Sequence, residues 1–208
     1  MSKKTETAQL ETVLNAGDVT GSDWERIRAK LSKKAENQGL VDVAYEVHET
    51  PFGPMLVGAT DRGLVRVGLS AESQESVLDD LAKRISPRIL IAPKPQIKLA
   101  RKQLDQYFKG KRREFDLELD WQLTRGFRRL VLDATDSIPF GETRSYRQVA
   151  TSAGSPKAVR AAGSALAHNP LPIVVPCHRV LRSDGFVGNY LGGTAMKEQL
   201  LEMERSAG

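Results

Sequence analysis

The chain has a single cysteine, Cys177, and three histidines, His48, His168 and His178. One thiol excludes an intramolecular disulfide framework and any multi-cysteine zinc site. The three imidazoles match no familiar metal-ligand spacing, so neither a metal nor a cofactor is expected. Long hydrophobic runs are missing as well. No stretch approaches the ~20 apolar residues that span a bilayer, and the start Met1-Ser2-Lys3-Lys4-Thr5-Glu6 has no apolar signal core. The expected setting is therefore cytoplasmic, without membrane association, where a free thiol stays reduced. Internal repeats and low-complexity segments are also absent.

Positive charge is in modest excess. Lys and Arg total 31 against 26 Asp and Glu, a net +5 over 208 residues, which favours an anionic partner without requiring one. Between Lys94 and Arg129, eleven cationic residues face five acidic ones; such a run suits either a phosphate-contacting surface or a solvated helix and loop.

Hydrophobic periodicity divides the chain into an N-terminal extension over 1–40, an α/β domain over 41–120 and a further domain over 121–208. Ser22-Asp23-Trp24-Glu25 fits a capping box opening a helix to about Glu36, with Trp24, Ile27 and Leu31 on one side; a mobile tail is expected before it. From Val41 the period becomes two, and the turns Pro51-Phe52-Gly53-Pro54 and Asp61-Arg62-Gly63 separate strands of a small antiparallel sheet. Helices are expected over 73–84 and 95–108, the second with Leu99, Leu104 and Phe108 toward the core. The alternation of Phe115, Leu117 and Leu119 predicts one more strand. The fold class is α/β in the α+β sense: a small antiparallel sheet with helices, then a mainly helical part.

Cys177 follows Pro172-Ile173-Val174-Val175-Pro176 and precedes His178-Arg179-Val180. Three β-branched residues predict a short buried strand that Pro176 ends, with Cys177 at its exit. A thiol titrates near ~8.5 and reacts as the thiolate, so the adjacent His178 is a candidate base. A lone Cys is equally at home as a small buried hydrophobe.

A second pattern lies upstream. Ser145 and Gln148 form a capping box, Gly154-Ser155-Pro156 makes a turn with the proline opening the next helix, and Lys157 to Ala167 continues it, as in a helix-turn-helix. Ala158, Ala161, Ala162 and Gly163 leave Arg160 as the one long side chain in the middle of that second helix. Major-groove readers carry more polar groups. A bare face suits close approach to a backbone or narrow groove, or tight packing within the core.

Taken together, Pro176-Cys177-His178-Arg179-Val180, Ser145-Tyr146-Arg147-Gln148, Ser155-Pro156-Lys157-Ala158-Val159-Arg160-Ala161, His168-Asn169-Pro170 and Val187-Gly188-Asn189-Tyr190-Leu191-Gly192-Gly193 resemble, in order and spacing, the motifs of the O6-alkylguanine-DNA alkyltransferases. The match runs from about Phe127 to Glu204, and more loosely from Val41. The resemblance implies direct-reversal DNA repair: a single-turnover transfer of an alkyl group from O6-alkylguanine, with O4-alkylthymine a further substrate, to Cys177 of a base-flipping, helix-turn-helix protein. It implies catalytic roles for Cys177, His178, Glu204, Asn169 and Tyr146, and DNA contacts from Arg160, Tyr146, Ala158, Ala161, Gly163 and Arg179. The implied substrate pocket is Leu166, Val180, Val187, Tyr190 and Leu191. The partner is double-stranded DNA carrying the lesion, met by a monomer that is nucleoid-associated when bound, with cooperative binding left open.

The sequence departs from the family at Leu191, where many relatives carry Ser, so a more apolar pocket is expected. The multi-cysteine sensor domain of some bacterial relatives is absent. Without the resemblance, Glu204 reads as an exposed helix-end carboxylate, Tyr146 as a core aromatic and Asn169 as a turn residue. The rival functions are a lesion-binding protein without chemistry and a cysteine hydrolase using Cys177 and His178.

Overall fold

The computed structural model describes Asp23 and residues 26–27, 30–32, 34–35 and 38–207. Met1–Leu40 and Val41–Gly208 form two compact units. In the first, the described residues between 23 and 35 are helical, with Ile27 partly buried and Leu31 exposed. The expected cap at 22–25, including Trp24, and the tail lie outside the described residues.

In the second unit the period-two segments form β1 (Val43–His48), β2 (Met55–Thr60) and β3 (Gly63–Gly68), paired antiparallel in chain order with an irregularity at Gly58 and Ala59. A fourth strand, β4 (Ile89–Ile91), joins β1 in parallel, so the sheet is mixed, with order β3-β2-β1-β4. Three residues at an edge, two of them exposed, carry no alternation to read. The strand expected at 115–119 does not form. Leu119 makes one isolated bridge to Leu64, because Asp120 turns the chain away. The Asp120 carboxylate accepts from Thr60 Oγ1 at 2.6 Å, Gln122 N at 3.1 Å and Gln122 Nε2 at 2.7 Å, which commits it to a turn.

Helix α1 (Gln74–Arg84) is capped by Ser73 and buries Val77 and Leu81 against Val43, Leu56, Val65 and Leu123. Helix α2 (Pro95–Phe108) starts at Pro95, whose fixed φ and missing N–H suit a first turn. Its buried face is Ile97, Ala100, Leu104 and Tyr107, spaced for one side of a helix. Leu99, expected in the core, falls on the opposite face and is 44% exposed. Phe108 is half-buried, its ring 5.3 Å from that of Phe52.

The remainder is helical: α3 (Phe127–Asp136), α4 (Tyr146–Ser152), α5 (Val159–Ala167) and α6 (Thr194–Ser206). The two-residue strands β5 (Arg144–Ser145) and β6 (Val180–Leu181) pair in parallel, which fixes the start of α4 beside the segment that follows Cys177. The sheet reaches the same region. Val67 N donates to Pro170 O at 2.8 Å, and buried Arg66, paired with Glu72, donates to Pro170 O at 3.3 Å.

Truncating Leu104 to Ala is expected to cost about 2–5 kcal/mol through transfer and cavity terms. The Leu99→Ala change should stay within about 0.5 kcal/mol, as at an ordinary surface site. Urea unfolding of the two variants checks both values.

Candidate active site

The segment before Cys177 is a buried turn and not the expected strand. Pro172 and Val175 bridge, Val175 N donates to Leu171 O at 2.8 Å, and Ile173 takes φ 74°. A left-handed conformation is costly for a β-branched residue; here full burial of the Ile173 side chain holds it. The prolines at 170, 172 and 176 remove three donors from any ladder. Cys177–Arg179 then form one 3-10 turn, so three consecutive side chains radiate about 120° apart. Cys177 thereby faces one way, and His178 and Arg179 others.

Asn169 orders the Cys177 side. Its Nδ2 donates to Val175 O at 2.9 Å and lies 3.2 Å from Cys177 Sγ, while its Oδ1 accepts from Leu171 N at 3.0 Å. The side chain is 1% exposed with every bond satisfied inside the turn, so it braces the loop and donates to sulfur at once.

On the other side, α6 presents Glu204. Met196, Leu200 and Glu204 are buried four residues apart, so the carboxylate occupies a core position of the face that also buries Lys197 and Leu201. It is 1% exposed, which rules out the solvated helix-end reading. Oε1 stands 2.9 Å from His178 Nε2 and accepts from Arg179 Nη2 at 2.9 Å and from Tyr107 Oη at 2.5 Å. Oε2 accepts from Arg179 Nε at 3.0 Å and from Gly141 N at 3.1 Å. Arg179 Nη1 donates onward to Ile138 O at 2.6 Å. His178 Nδ1 is buried with no partner among the described residues.

These contacts set the protonation states. Burial opposes ionisation of Glu204, but the donors from His178, Arg179 and Tyr107 outweigh it and hold its pKa at about 2. Burial holds His178 below its ordinary value against the opposing pull of Glu204, so the imidazole is neutral with its proton on the carboxylate side. Burial pushes the Cys177 thiol up, opposed by Asn169 and by Lys197. Cys177 is therefore a protonated thiol that needs a base. Lys197, fully buried with Nζ donating to Val180 O at 2.6 Å, is itself pushed down to about 8 by burial.

Cys177 lies in a cavity of about 420 Å³ lined by Tyr146, Gly163, Leu166, Ala167, Asn189, Tyr190 and Leu191. The helix-turn-helix forms one wall. The α4 capping box is complete, Ser145 Oγ accepting from Gln148 N at 3.2 Å and Gln148 Oε1 from Ser145 N at 2.7 Å. Pro156 lies in the turn before α5 and does not open it; Ala158 is the cap. Gly163 turns its bare Cα to the Tyr146 ring, which an added Cβ would meet at 3.8 Å, and Gly188, at φ 68°, packs against the Tyr146 hydroxyl. Arg160 and Ala161 are exposed, Ala158 and Gly163 partly so, and the opposite face buries Ala162 and Ala165.

Of the expected residues, Cys177, Tyr146, Leu166, Tyr190 and Leu191 meet at the cavity, with Asn169 against the sulfur and His178 and Glu204 in one network. Three placements differ from expectation. Arg179, expected at DNA, is 5% exposed and committed to Glu204, because a guanidinium buried beside a carboxylate leaves no fork for phosphate. Val180, fully buried in β6, and Val187 do not line the cavity. Tyr107 and Lys197 were not legible as site residues: one is an aromatic on the α2 core face, the other a lysine in an ordinary amphipathic pattern.

Comparison with known proteins follows the same geometry. Residues 126–206 match the family model of the 6-O-methylguanine DNA methyltransferase DNA-binding domain, and residues 43–121 that of its ribonuclease-like domain. A methylated-DNA–protein-cysteine methyltransferase of Methanosarcina barkeri is 39% identical over 163 residues, 78% of this chain and 97% of its own. The constitutive protein of that name from Bacillus subtilis is 38% identical over 166 residues, 77% of this chain and 94% of its own. The crystal structure of Mycobacterium tuberculosis OGT in complex with DNA superposes with a TM-score of 0.67 at 36% identity, covering 79% of this chain and 94% of that one.

Stability should fall with acid in two windows. His178, held below its ordinary 6.5, contributes a loss as pH drops beneath that value, because the unfolded imidazole takes a proton that the folded one refuses. Glu204 contributes stability above its ordinary 4.5 that is lost as pH falls toward about 2, a difference on the order of 3 kcal/mol. Glu204→Gln should remove the lower window and cost about 3–5 kcal/mol at neutral pH by leaving Arg179 unpaired in the interior. Urea unfolding of both proteins across the acid range reads the slopes.

Proposed function

The chain belongs to the 6-O-methylguanine DNA methyltransferase family and is a DNA-binding methylated-DNA–protein-cysteine methyltransferase of direct-reversal repair; from that premise we propose that Cys177 is the acceptor of the alkyl group of O6-alkylguanine. The observation that carries this reading is the placement of the chain's one thiol at the floor of a cavity, braced by Asn169, beside a neutral His178 whose Nδ1 is bare and whose Nε2 is backed by an ionised Glu204.

In the proposed reaction the lesion leaves the stack, since an O6 substituent inside a duplex is beyond a protein nucleophile's reach. The cavity beside α4 and α5 receives it, Tyr146, Leu166, Tyr190 and Leu191 flank it, and exposed Arg160 fills the gap in the duplex. The thiol proton passes to His178 Nδ1 through a bridging water. Glu204, too weak a base to take the second proton, stabilises the imidazolium by charge. Cys177 Sγ forms a bond to the alkyl carbon as the carbon–O6 bond breaks, its electron pair going to guanine. Tyr146, kept protonated by burial and by its neighbour Cys177, donates toward N3 to stabilise that charge. The product thioether has no hydrolytic route, so each molecule acts once.

The protein acts on double-stranded DNA as a monomer in the cytoplasm. Among the described residues no helix is long and apolar enough to cross a membrane. The small residues of α5, with Ala161 and Arg160 outward, suit sequence-independent contact with a groove.

Incubation with a duplex carrying one O6-methylguanine, followed by intact-mass and peptide mass spectrometry, should add one methyl per molecule at Cys177. More product than protein would favour the hydrolase; an unmodified protein that still binds the duplex would favour the lesion binder. Cys177→Ala should abolish transfer and keep DNA binding. Arg160→Ala should slow repair of duplex DNA at least about tenfold more than reaction with a free base analogue, the cost of roughly one lost site-filling contact; equal losses on both substrates would count against an intrahelical role.

A further inference from the structure

Tyr107 lies on α2, seventy-one residues from His178, and belongs to none of the motifs that mark the site. Its ring is fully buried and fenced by Phe108, Phe115 and Phe140 at centroid separations of 5.6, 5.4 and 6.1 Å, so the hydroxyl has one heading. That heading puts Oη 2.5 Å from Glu204 Oε1 and 3.2 Å from His178 Nε2. A phenol has one proton, and the carboxylate is the better acceptor. The Tyr107 oxygen then turns a lone pair toward Nε2, which is thus faced by two acceptors, Glu204 Oε1 and Tyr107 Oη. Only an Nε2–H satisfies both.

We propose that Tyr107 is a positioning residue for alkyl transfer: its hydroxyl fixes His178 in the tautomer with a bare Nδ1 and occupies the Glu204 oxygen that would otherwise draw harder on the imidazole proton. The inference rests on the reading of His178 as the base. Burial and the Glu204 charge raise the Tyr107 pKa far above its ordinary value, so the donor is present at every working pH. The groups that face or act electrostatically on His178 are Glu204 and Lys197 from α6, Tyr107 from α2, Arg179 from its own turn, and Tyr190 from the following loop. Among them Tyr107 supplies a hydroxyl donor to Glu204 Oε1, the oxygen that faces the imidazole. Its loss concentrates negative charge on Oε1 and makes both Glu204 and His178 more basic.

The test is Tyr107→Phe, which keeps the ring and removes one oxygen. In the unreacted protein, imidazole 15N resonances should report Nε2–H with a bare Nδ1 in the wild type, and in Tyr107→Phe a His178 titration raised by about half a pH unit or more, the scale of one charge-assisted hydrogen bond acting at one remove. The acid limb of single-turnover methyl transfer should move up by the same amount. Site-specific 3-fluorotyrosine at position 107, a stronger donor of nearly the same shape, should move both the other way and keeps the test available if Tyr107→Phe does not fold. Phe115→Leu loosens the same ring cluster without touching the hydroxyl and should lower stability while leaving the titration in place. An unchanged tautomer, titration and acid limb in both position-107 variants would overturn the proposal and leave Tyr107 a packing residue. A wild type that transfers no methyl would instead sink the assignment of Cys177, since the resonances are read without substrate.

Discussion

The buried Glu204 carboxylate is the interaction on which the rest of the site depends. A charge with 1% exposure survives only when its lone pairs are answered. Here the answers come from four residues in three places of the chain: Tyr107 on α2, Gly141 after α3, and His178 and Arg179 on the reactive turn. Satisfying that one group therefore fixes the relative positions of α2, α6, the 3-10 turn and the loop before α4. The geometry around Cys177 is a by-product of an electrostatic constraint some distance from the sulfur.

The same arrangement reconciles a conflict in the chemistry. Burial suppresses ionisation of the thiol, which argues against reactivity, but it also keeps His178 neutral and free to accept a proton. Lys197 adds a cation that favours the thiolate, and Asn169 adds a donor to sulfur. A resting thiol with a prepared base suits a protein that reacts once, because a standing thiolate would be open to oxidation in the meantime.

The reactive segment shows how local reading fails. Ile173, Val174 and Val175 have strand propensity, yet three prolines around them deny the donors a ladder needs. The chain closes on itself, with Ile173 left-handed at a cost that the surrounding core absorbs. Phe115, Leu117 and Leu119 alternate as a strand should, but Asp120 binds Thr60 and Gln122 and spends the segment in a turn. Leu99 has the right character for a core residue and the wrong phase on α2.

What the sequence determined was whatever rests on short-range rules. The helix cap at Ser145, the three antiparallel strands, the absence of a disulfide framework and the order of the motifs around Cys177 all follow from the sequence pattern. Tertiary structure decided which side chains meet. Arg179 reads as a DNA contact until burial pairs it with Glu204, and Tyr107 belongs to no motif until its hydroxyl reaches a residue ninety-seven positions away. Periodicity says which face of a helix is buried, but it does not say what that face will touch. The site is made of contacts between elements far apart in the chain, and their energy depends on burial and direction, which exist only once the chain has folded.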